Sequence, residues 1–220
     1  MSRERVIETA RGELGVTEYP PGSNRVKYWD SYNPTWQGQP WCVCGLWWVF
    51  HRAGEGAAFF AGAKTASCGT LRRWYKEQGQ TVPKTEGIAG DLVFFNFHGG
   101  AQPEHVGLII ERRNYGWYKT IEFNTSPGEE GSQDNGGCVA LKLRHISQIV
   151  EVCRPVYKED ELKKKTDYDE HWAAPQIRWA MMEGLLKGYP DGSFQPDKPV
   201  TRAELAVILH RIYSRPKEDE

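Results

Sequence analysis

A chain of 220 residues has room for one large domain, or for a medium domain and a small one. Apolar residues make up 39% and aromatic residues 12%, enough for a buried core, while 28 Lys and Arg against 29 Asp and Glu leave a net charge of -1. That balance offers no basic surface for nucleic acid, and no apolar run is long enough to cross a bilayer.

Nine tryptophans supply core bulk and flat faces for stacking on sugars, with packing the commoner use. Five cysteines, an odd number without framework spacing, argue against a disulfide scaffold and leave at least one thiol free. Residues 1–14 mix Arg3, Glu4, Arg5 and Glu8 with Val6, Ile7, Ala10 and Leu14 at helical spacing. They read as an amphipathic helix closed by Gly15, not as a signal peptide.

A loop is expected over 18–24 and an irregular, aromatic-rich loop over 28–40. Apolar density over 41–53 (Val43, Leu46, Trp47, Val49, Phe50) predicts a buried helix ending at Gly54, and 68–78 predicts another with Leu71, Trp74 and Tyr75 on one side. Strands are predicted over 91–97, 105–111, 118–124, 138–143 and 149–156, mostly separated by Gly, Pro and Asn breaks. Helices followed by strands imply an α+β domain with an antiparallel sheet, running from 1 to 157.

A highly charged stretch, 158–167, reads as a linker, either flexible or a short solvated helix. Beyond it Trp172, Ile177, Ala180, Met181 and Leu185 sit at helical spacing, a turn-rich loop spans 188–194, and a second helix is predicted over 202–213. Thr201 and Glu204 form a capping box at its start. This makes a small helical module over 168–214, with a disordered tail over 215–220.

Cys42 stands at the expected start of the buried helix, where the dipole stabilises a thiolate. Cys44, about 200° further around the helix, reads as core. A nucleophilic cysteine needs a base, and His105 heads the rigid strand run Val106-Gly107-Leu108-Ile109-Ile110, with His98 in the preceding loop as the second choice. His51 lies at the far end of the Cys42 helix, and His145, His171 and His210 read as surface or packing residues. Glu122 and Asn124 are two apart on one strand and so face the same side, either one placed to orient the imidazole. A zinc site from Cys42, Cys44, Cys68 and a histidine is disfavoured by the Cys-x-Cys spacing.

Six motifs occur in order: Gly15-Val16-Thr17-Glu18, Gly22-Ser23-Asn24, Pro40-Trp41-Cys42, Gly90-Asp91, His105-Val106-Gly107 and Ile121-Glu122-Phe123-Asn124-Thr125. Together they resemble the CHAP family of cysteine- and histidine-dependent amidohydrolases and peptidases that cleave peptidoglycan, over about residues 5 to 156. The resemblance implies a papain-like domain with Cys42 as nucleophile, His105 as base, and Glu122 and Asn124 orienting it. It also implies a backbone N–H of Cys42 in the oxyanion hole, with Gln37 or Gln39 as candidate side-chain donors. Where that family usually carries Gly, this chain has Phe123. The family's calcium-binding members have an acidic loop before the cysteine; here only Asp30 remains, so no metal or other cofactor is expected.

The later segment, with 168–173, 188–194 and 200–204, resembles an S-layer homology module. That resemblance implies binding to secondary cell-wall polysaccharide through Asp169, Trp172 and Arg202, the last offering a bidentate fork to an anionic sugar. Such modules usually come in threes, whereas this chain has one, and a helix pair of that size needs a partner surface. It is expected either to pack on the catalytic domain or to assemble with copies from other chains, three of which could rebuild the three-fold arrangement as a homotrimer. The two resemblances imply a peptidoglycan hydrolase of endolysin or autolysin type, made in the cytoplasm without a signal peptide and released by a route such as lysis to act at the cell wall. The alternative is a wall-anchored scaffold without catalysis.

Overall fold

The computed structural model describes residues 2–128, 130–161 and 166–214. The chain divides into two compact units, Met1–Leu162 and Lys163–Glu220. Among the described residues no helix is long and apolar enough to cross a membrane.

In the first unit, helices α1 (Ser2–Arg11), α2 (Lys27–Tyr32), α3 (Cys42–Arg52) and α4 (Cys68–Glu77) precede strands β1 (Thr81–Val82), β2 (Leu92–Phe95), β3 (His105–Arg112), β4 (Trp117–Thr125), β5 (Cys138–His145) and β6 (Ile149–Cys153). The strands form one antiparallel sheet in the order β1-β6-β2-β3-β4-β5. This is the helices-then-sheet α+β architecture the sequence implies.

α3 is apolar around most of its circumference, with Cys42, Val43, Cys44, Gly45, Leu46, Trp47, Val49 and Phe50 all buried. A helix of that composition is stable only inside a core. It ends where Gly54 takes a φ of 75°, open to a residue without Cβ. α4 begins at Ser67, whose hydroxyl accepts the Thr70 N–H at 3.2 Å. One face of the sheet, including Phe94, Val106, Leu108, Ile121 and Phe123, joins α1, α3 and α4 in the main core. The opposite face gathers Val93, Phe95, Ile109, Tyr118, Ile149 and Val152 in a second, smaller cluster.

Two segments differ from the sequence reading. The aromatic stretch expected to be an irregular loop contains α2, which buries Tyr28, Trp29 and Tyr32. Six residues are too few for a helical period to show, and ring packing decides: Tyr28 lies 5.5 Å from Trp41 and 5.4 Å from Phe123, centroid to centroid. The charged stretch, read as a flexible linker or a short solvated helix, opens with a helical turn, α5 (Lys158–Glu161), that is held to the first unit and not free in solvent. Asp160 pairs with Arg3 at 2.6 Å and the Lys158 N–H donates to Glu55 at 3.1 Å. Local composition reported the charges but not their distant partners. Residues 162–165 of the expected linker and the expected tail, 215–220, lie outside the described residues.

The second unit contains α6 (Ala174–Met182) and α7 (Arg202–Tyr213). Tyr168, Ala174 and Ile177 form its small core with Phe194 against them. The Asp167 carboxylate fixes the intervening loop by accepting the Phe194 and Gln195 N–H groups at 2.8 and 2.6 Å. Thr201 and Glu204 cap α7 reciprocally, as the sequence predicts. No residue of α7 is buried, and Leu205, Val207, Leu209 and Ile212 are each about half exposed.

Phe123, the residue that departs from the family's usual Gly, is fully buried against the α3 backbone at Gly45. A Cβ at Gly45 would lie 2.3 Å from Phe123 Cδ1, so a small residue on the helix accommodates the large one on the strand. Gly45→Ala is expected to destabilise the protein by about 1–3 kcal/mol through overpacking. Phe123→Ala is expected to cost about 3–5 kcal/mol by itself, and the double variant less than the two added together. Urea unfolding of the four proteins measures this coupling, and strict additivity would refute the contact.

Candidate active site

Trp41 is the residue before α3 and is fully buried, with its ring beside Tyr28 and Phe123. Its Nε1 points to Glu18 at 3.5 Å, and the same carboxylate accepts the Asn24 N–H at 2.7 Å. The early Glu18 and Asn24 motifs therefore brace the chain that leads into Cys42. Cys42 is the first residue of α3, so its own N–H and the next two have no acceptor within the helix. Its Sγ lies 3.6 Å from Cys68 Sγ, and Cys68 is the first residue of α4. Two helix N-termini thus converge on a pair of thiols.

His105 opens β3 and is fully buried, with its ring stacked near Phe95 and Phe97. Its Nε2 sits 3.2 Å from Glu122 Oε2, a charge contact in which neither ring nitrogen meets full hydrogen-bond alignment. Cys42 is the other group that acts on the ring, raising its pKa together with Glu122. Glu122 reaches His105 because Gly107 stands opposite it in the β3–β4 register. A Cβ at Gly107 would lie 2.8 Å from Glu122 Cγ. Glycine is needed here so that the carboxylate can lie across its neighbour strand.

Glu122 is itself held from three sides. Arg144 on β5 grips it with Nε on Oε1 at 2.8 Å and Nη2 on Oε2 at 2.6 Å, and the Thr120 hydroxyl donates to Oε1 at 2.7 Å. The Arg144 guanidinium also donates to Gln133 Oε1 at 3.1 Å and lies over the Phe97 ring, 4.7 Å from its centroid. This fork geometry is the strong form of a carboxylate pair.

Charge follows from these contacts. Burial opposes ionisation of Glu122, but Arg144 and His105 outweigh it and hold the carboxyl down at about 2. Burial likewise opposes the imidazolium, but Cys42 and Glu122 raise His105 to about 9. The Cys68 thiol, donating to Cys42, is the main cause of a Cys42 pKa well below the usual thiol range; burial works against it, and His105 and the Val43 N–H add to it. These shifts all favour a thiolate–imidazolium pair backed by a carboxylate.

The other sequence candidates fall elsewhere. Asn124 does not share the face of Glu122, which corrects the two-residue periodicity argument. The β4–β5 register shifts between Glu122 and Thr125, and Asn124 takes a φ of 59°. Its side chain turns to the following loop, donating to Asn135 Oδ1 at 2.9 Å and accepting the Gly137 N–H at 3.1 Å. Gln37 is engaged with the backbone: its amide donates to Val26 O and Asp30 Oδ1 and accepts the Val26 N–H, each at 3.0 Å. That leaves it unsuited to an oxyanion. Gln39 is exposed three residues before Cys42. Cys44 is fully buried, and burial raises its thiol far above the usual range. His98 is exposed beside Glu104 at 2.9 Å, and His51 stacks on Trp47. Among the described residues no group of three or more His, Cys, Asp or Glu is placed to hold a metal ion.

In the second unit, a cavity of about 590 Å³ is lined by Trp172, which is 85% exposed, together with His171, Lys187, Lys198 and Arg211. Asp169 does not line it; its carboxylate pairs with Arg178 at 2.6 Å and accepts the Thr166 N–H. Arg202 opens α7, exposed and outside the cavity wall. Of the three sequence candidates only Trp172 lines the cavity: Asp169 lies before α6, held by Arg178 and the Thr166 N–H, and Arg202 is the first residue of α7.

The CHAP domain model matches residues 34–124, and the S-layer homology domain model matches 166–206. The chain carries a CHAP domain and an S-layer homology domain. Among curated proteins it is similar to cell surface glycoprotein 1 of Acetivibrio thermocellus, 48% identical over 52 residues, which are 24% of this chain and 2% of that protein. It is also similar to the cellulosome-anchoring protein of the same organism, 40% identical over 58 residues, 26% of this chain and 13% of that protein. The outer membrane protein SlpA of Deinococcus radiodurans is 36% identical over 50 residues, 23% of this chain and 4% of that protein. The chain thus spans a small fraction of the length of these relatives. Among solved structures, the endolysin LysIME-EF1 is 18% identical with a TM-score of 0.41, covering 71% of this chain and 65% of that one. Ly7917 is 13% identical with a TM-score of 0.42, covering 70% and 62%.

The CHAP match includes Cys42, Cys68, His105 and Glu122, while Arg144 lies beyond it. Sequence reasoning missed Arg144 and missed Cys68 as a neighbour of the thiolate. Alternation on β5 would have put Arg144 on the face of Lys142, and a buried Glu122 demanded a cation; that demand was the available signal. Arg144→Met is expected to destabilise the CHAP domain by about 3–5 kcal/mol, since it leaves a buried carboxylate unpaired. The Glu122 contribution is complete above pH 4.5 and fades as pH falls toward 2, so the wild type should lose stability across that interval. Denaturant midpoints at pH 7 and pH 3 test both; an unchanged Arg144→Met midpoint at pH 7 would refute the role.

Proposed function

We propose that the chain hydrolyses an amide bond of bacterial peptidoglycan through a Cys42 thioester, with its second unit holding it to wall polysaccharide. The observation that carries this is that Cys42, at the start of α3, and His105, set 3.2 Å from Glu122, each shift the other toward its charged form. Cys42 Sγ attacks the substrate carbonyl carbon. The Cys42 N–H, free at the helix start, steadies the oxyanion, with Gln39 as the side-chain candidate. His105 gives its proton to the leaving amine and then takes one from the water that cleaves the thioester. The bond is either the one joining muramic acid to L-alanine or one within the stem peptide or its cross-bridge.

The anchoring reading draws on the S-layer homology match, on the resemblance to a cellulosome-anchoring protein, and on a cavity with Trp172 for a sugar face and Lys187, Lys198 and Arg211 for acidic groups. The half-exposed apolar residues of α7 suit a surface shared by three copies. Release to the wall by lysis accords with an endolysin.

Digestion of purified wall, with mass spectrometry of the new amino ends, tests the reaction and names the bond. Cys42→Ala is expected to lower the rate by ~10³-fold or more, and Cys44→Ala to leave it within a few-fold; a fully lytic Cys42→Ala would overturn the reading. The rate should be high at neutral pH and fall as pH rises through about 9, where His105 loses the proton it must donate. A profile still rising beyond pH 10 would oppose it. Light scattering is expected to give three times the 25.1 kDa chain mass, and a monomer at micromolar concentration would reject the trimer.

A further inference from the structure

Catalysis as derived above uses one thiol, yet two meet at the site. Cys42 and Cys68 open two helices of 11 and 10 residues whose N-termini face each other. Their Sγ atoms are 3.6 Å apart, and Cys68 Sγ also lies 3.8 Å from the Glu104 carbonyl, next in sequence to His105. The two residues are nearly buried, at 4% and 8% exposure, so only a reagent about the size of water suits the site. The remaining cysteines are differently placed. Cys44 and Cys153 are fully buried, and the Cys138 thiol is taken up by the Thr125 carbonyl at 2.8 Å. All five are free thiols.

We infer that Cys68 is a resolving thiol for Cys42: when a hydroperoxide oxidises Cys42, the two sulfurs close a reversible disulfide that blocks the nucleophile and protects it. In the first step the Cys42 thiolate attacks one peroxide oxygen and the O–O bond breaks. The sulfur loses two electrons and becomes a sulfenic acid, while the departing oxygen takes a proton and leaves as water for hydrogen peroxide. In the second step Cys68 gives up its proton and its sulfur attacks Cys42 Sγ. The S–O bond breaks, and the hydroxide leaves with that proton as a second water. Closure from 3.6 Å to the ~2.0 Å of an S–S bond takes side-chain rotation and a small backbone adjustment, not the transit of an element. The same hydrogen bond that holds Cys42 as a thiolate makes it the more reactive of the pair and leaves Cys68 with the proton. Cys42, on which His105 also acts, thus takes the attack, and Cys68 the resolution. Without Cys68, the sulfenic acid would have no thiol in contact and would oxidise further.

The loss of activity rests on the hydrolase reading; the bond itself does not. The full-length chain is treated with hydrogen peroxide, its remaining thiols are alkylated, and trypsin peptides are mapped without reduction. The expected product joins the peptide 28–52, which holds Cys42 and Cys44, to the peptide 65–72, which holds Cys68. A Cys44→Ala background makes the assignment unique. Two of the five thiols should disappear and return with dithiothreitol, and wall hydrolysis should fall and recover in step. In Cys68→Ser, peroxide should carry Cys42 to sulfinic acid, which dithiothreitol does not reverse. A wild-type map showing sulfinic Cys42 beside alkylated Cys68, or Cys42 joined to any other cysteine, overturns the inference. Should Cys68→Ser fail to fold, the wild-type map decides alone. A chain that forms the disulfide but never cleaves wall would refute the hydrolase reading and leave the thiol pair standing.

Discussion

A carboxylate with no access to water must be matched by positive charge, and Glu122 meets that requirement on both sides at once. Arg144 clamps it from β5 while His105 stands against it from β3. Gly107, opposite Glu122 in the register, provides the space through which the carboxylate reaches the histidine. The clamp keeps Glu122 ionised, an ionised Glu122 helps keep His105 protonated, and a protonated His105 helps keep Cys42 a thiolate. This relay adds to the larger effect of the Cys68 thiol, which touches Cys42 directly.

The helical side of the CHAP domain serves the same end by packing. Phe123 presses on the α3 backbone at Gly45, Trp41 is pinned by Tyr28 and Glu18, and Ser67 caps the helix that begins at Cys68. Each contact fixes where a helix starts, and a helix start is where a thiol gains the most from the backbone dipole. The two sulfurs meet because two such starts meet. A neighbouring thiol both donates to the thiolate and lies within reach of it after oxidation.

The second unit shows the opposite economy. Its core is three buried side chains with Phe194 against them, and α7 keeps its apolar residues half exposed. A unit so built leaves apolar surface uncovered, and the cavity beside Trp172 carries Lys187, Lys198 and Arg211 against one carboxylate, Glu204.

The elements with long, repeated patterns were legible without coordinates. The apolar density around Val43, Leu46, Trp47 and Phe50 marked α3, short β-branched or aromatic runs between turn residues marked β2 to β6, and Thr201 with Glu204 marked the start of α7. The motifs around Cys42 and His105 named the chemistry, because a thiol at a helix start and an imidazole on a strand are local features. What the chain order could not report was decided by tertiary contact. A bulge after Glu122 turned Asn124 away from the histidine, Gln37 was taken by the Val26 backbone, and Arg144 arrived from a strand 22 residues beyond Glu122. Cys68 came from 26 residues beyond Cys42 to touch it. Periodicity speaks for the face of a single ideal element; which groups share a buried charge depends on register, bulges and helix packing, and these are settled only when separate elements meet.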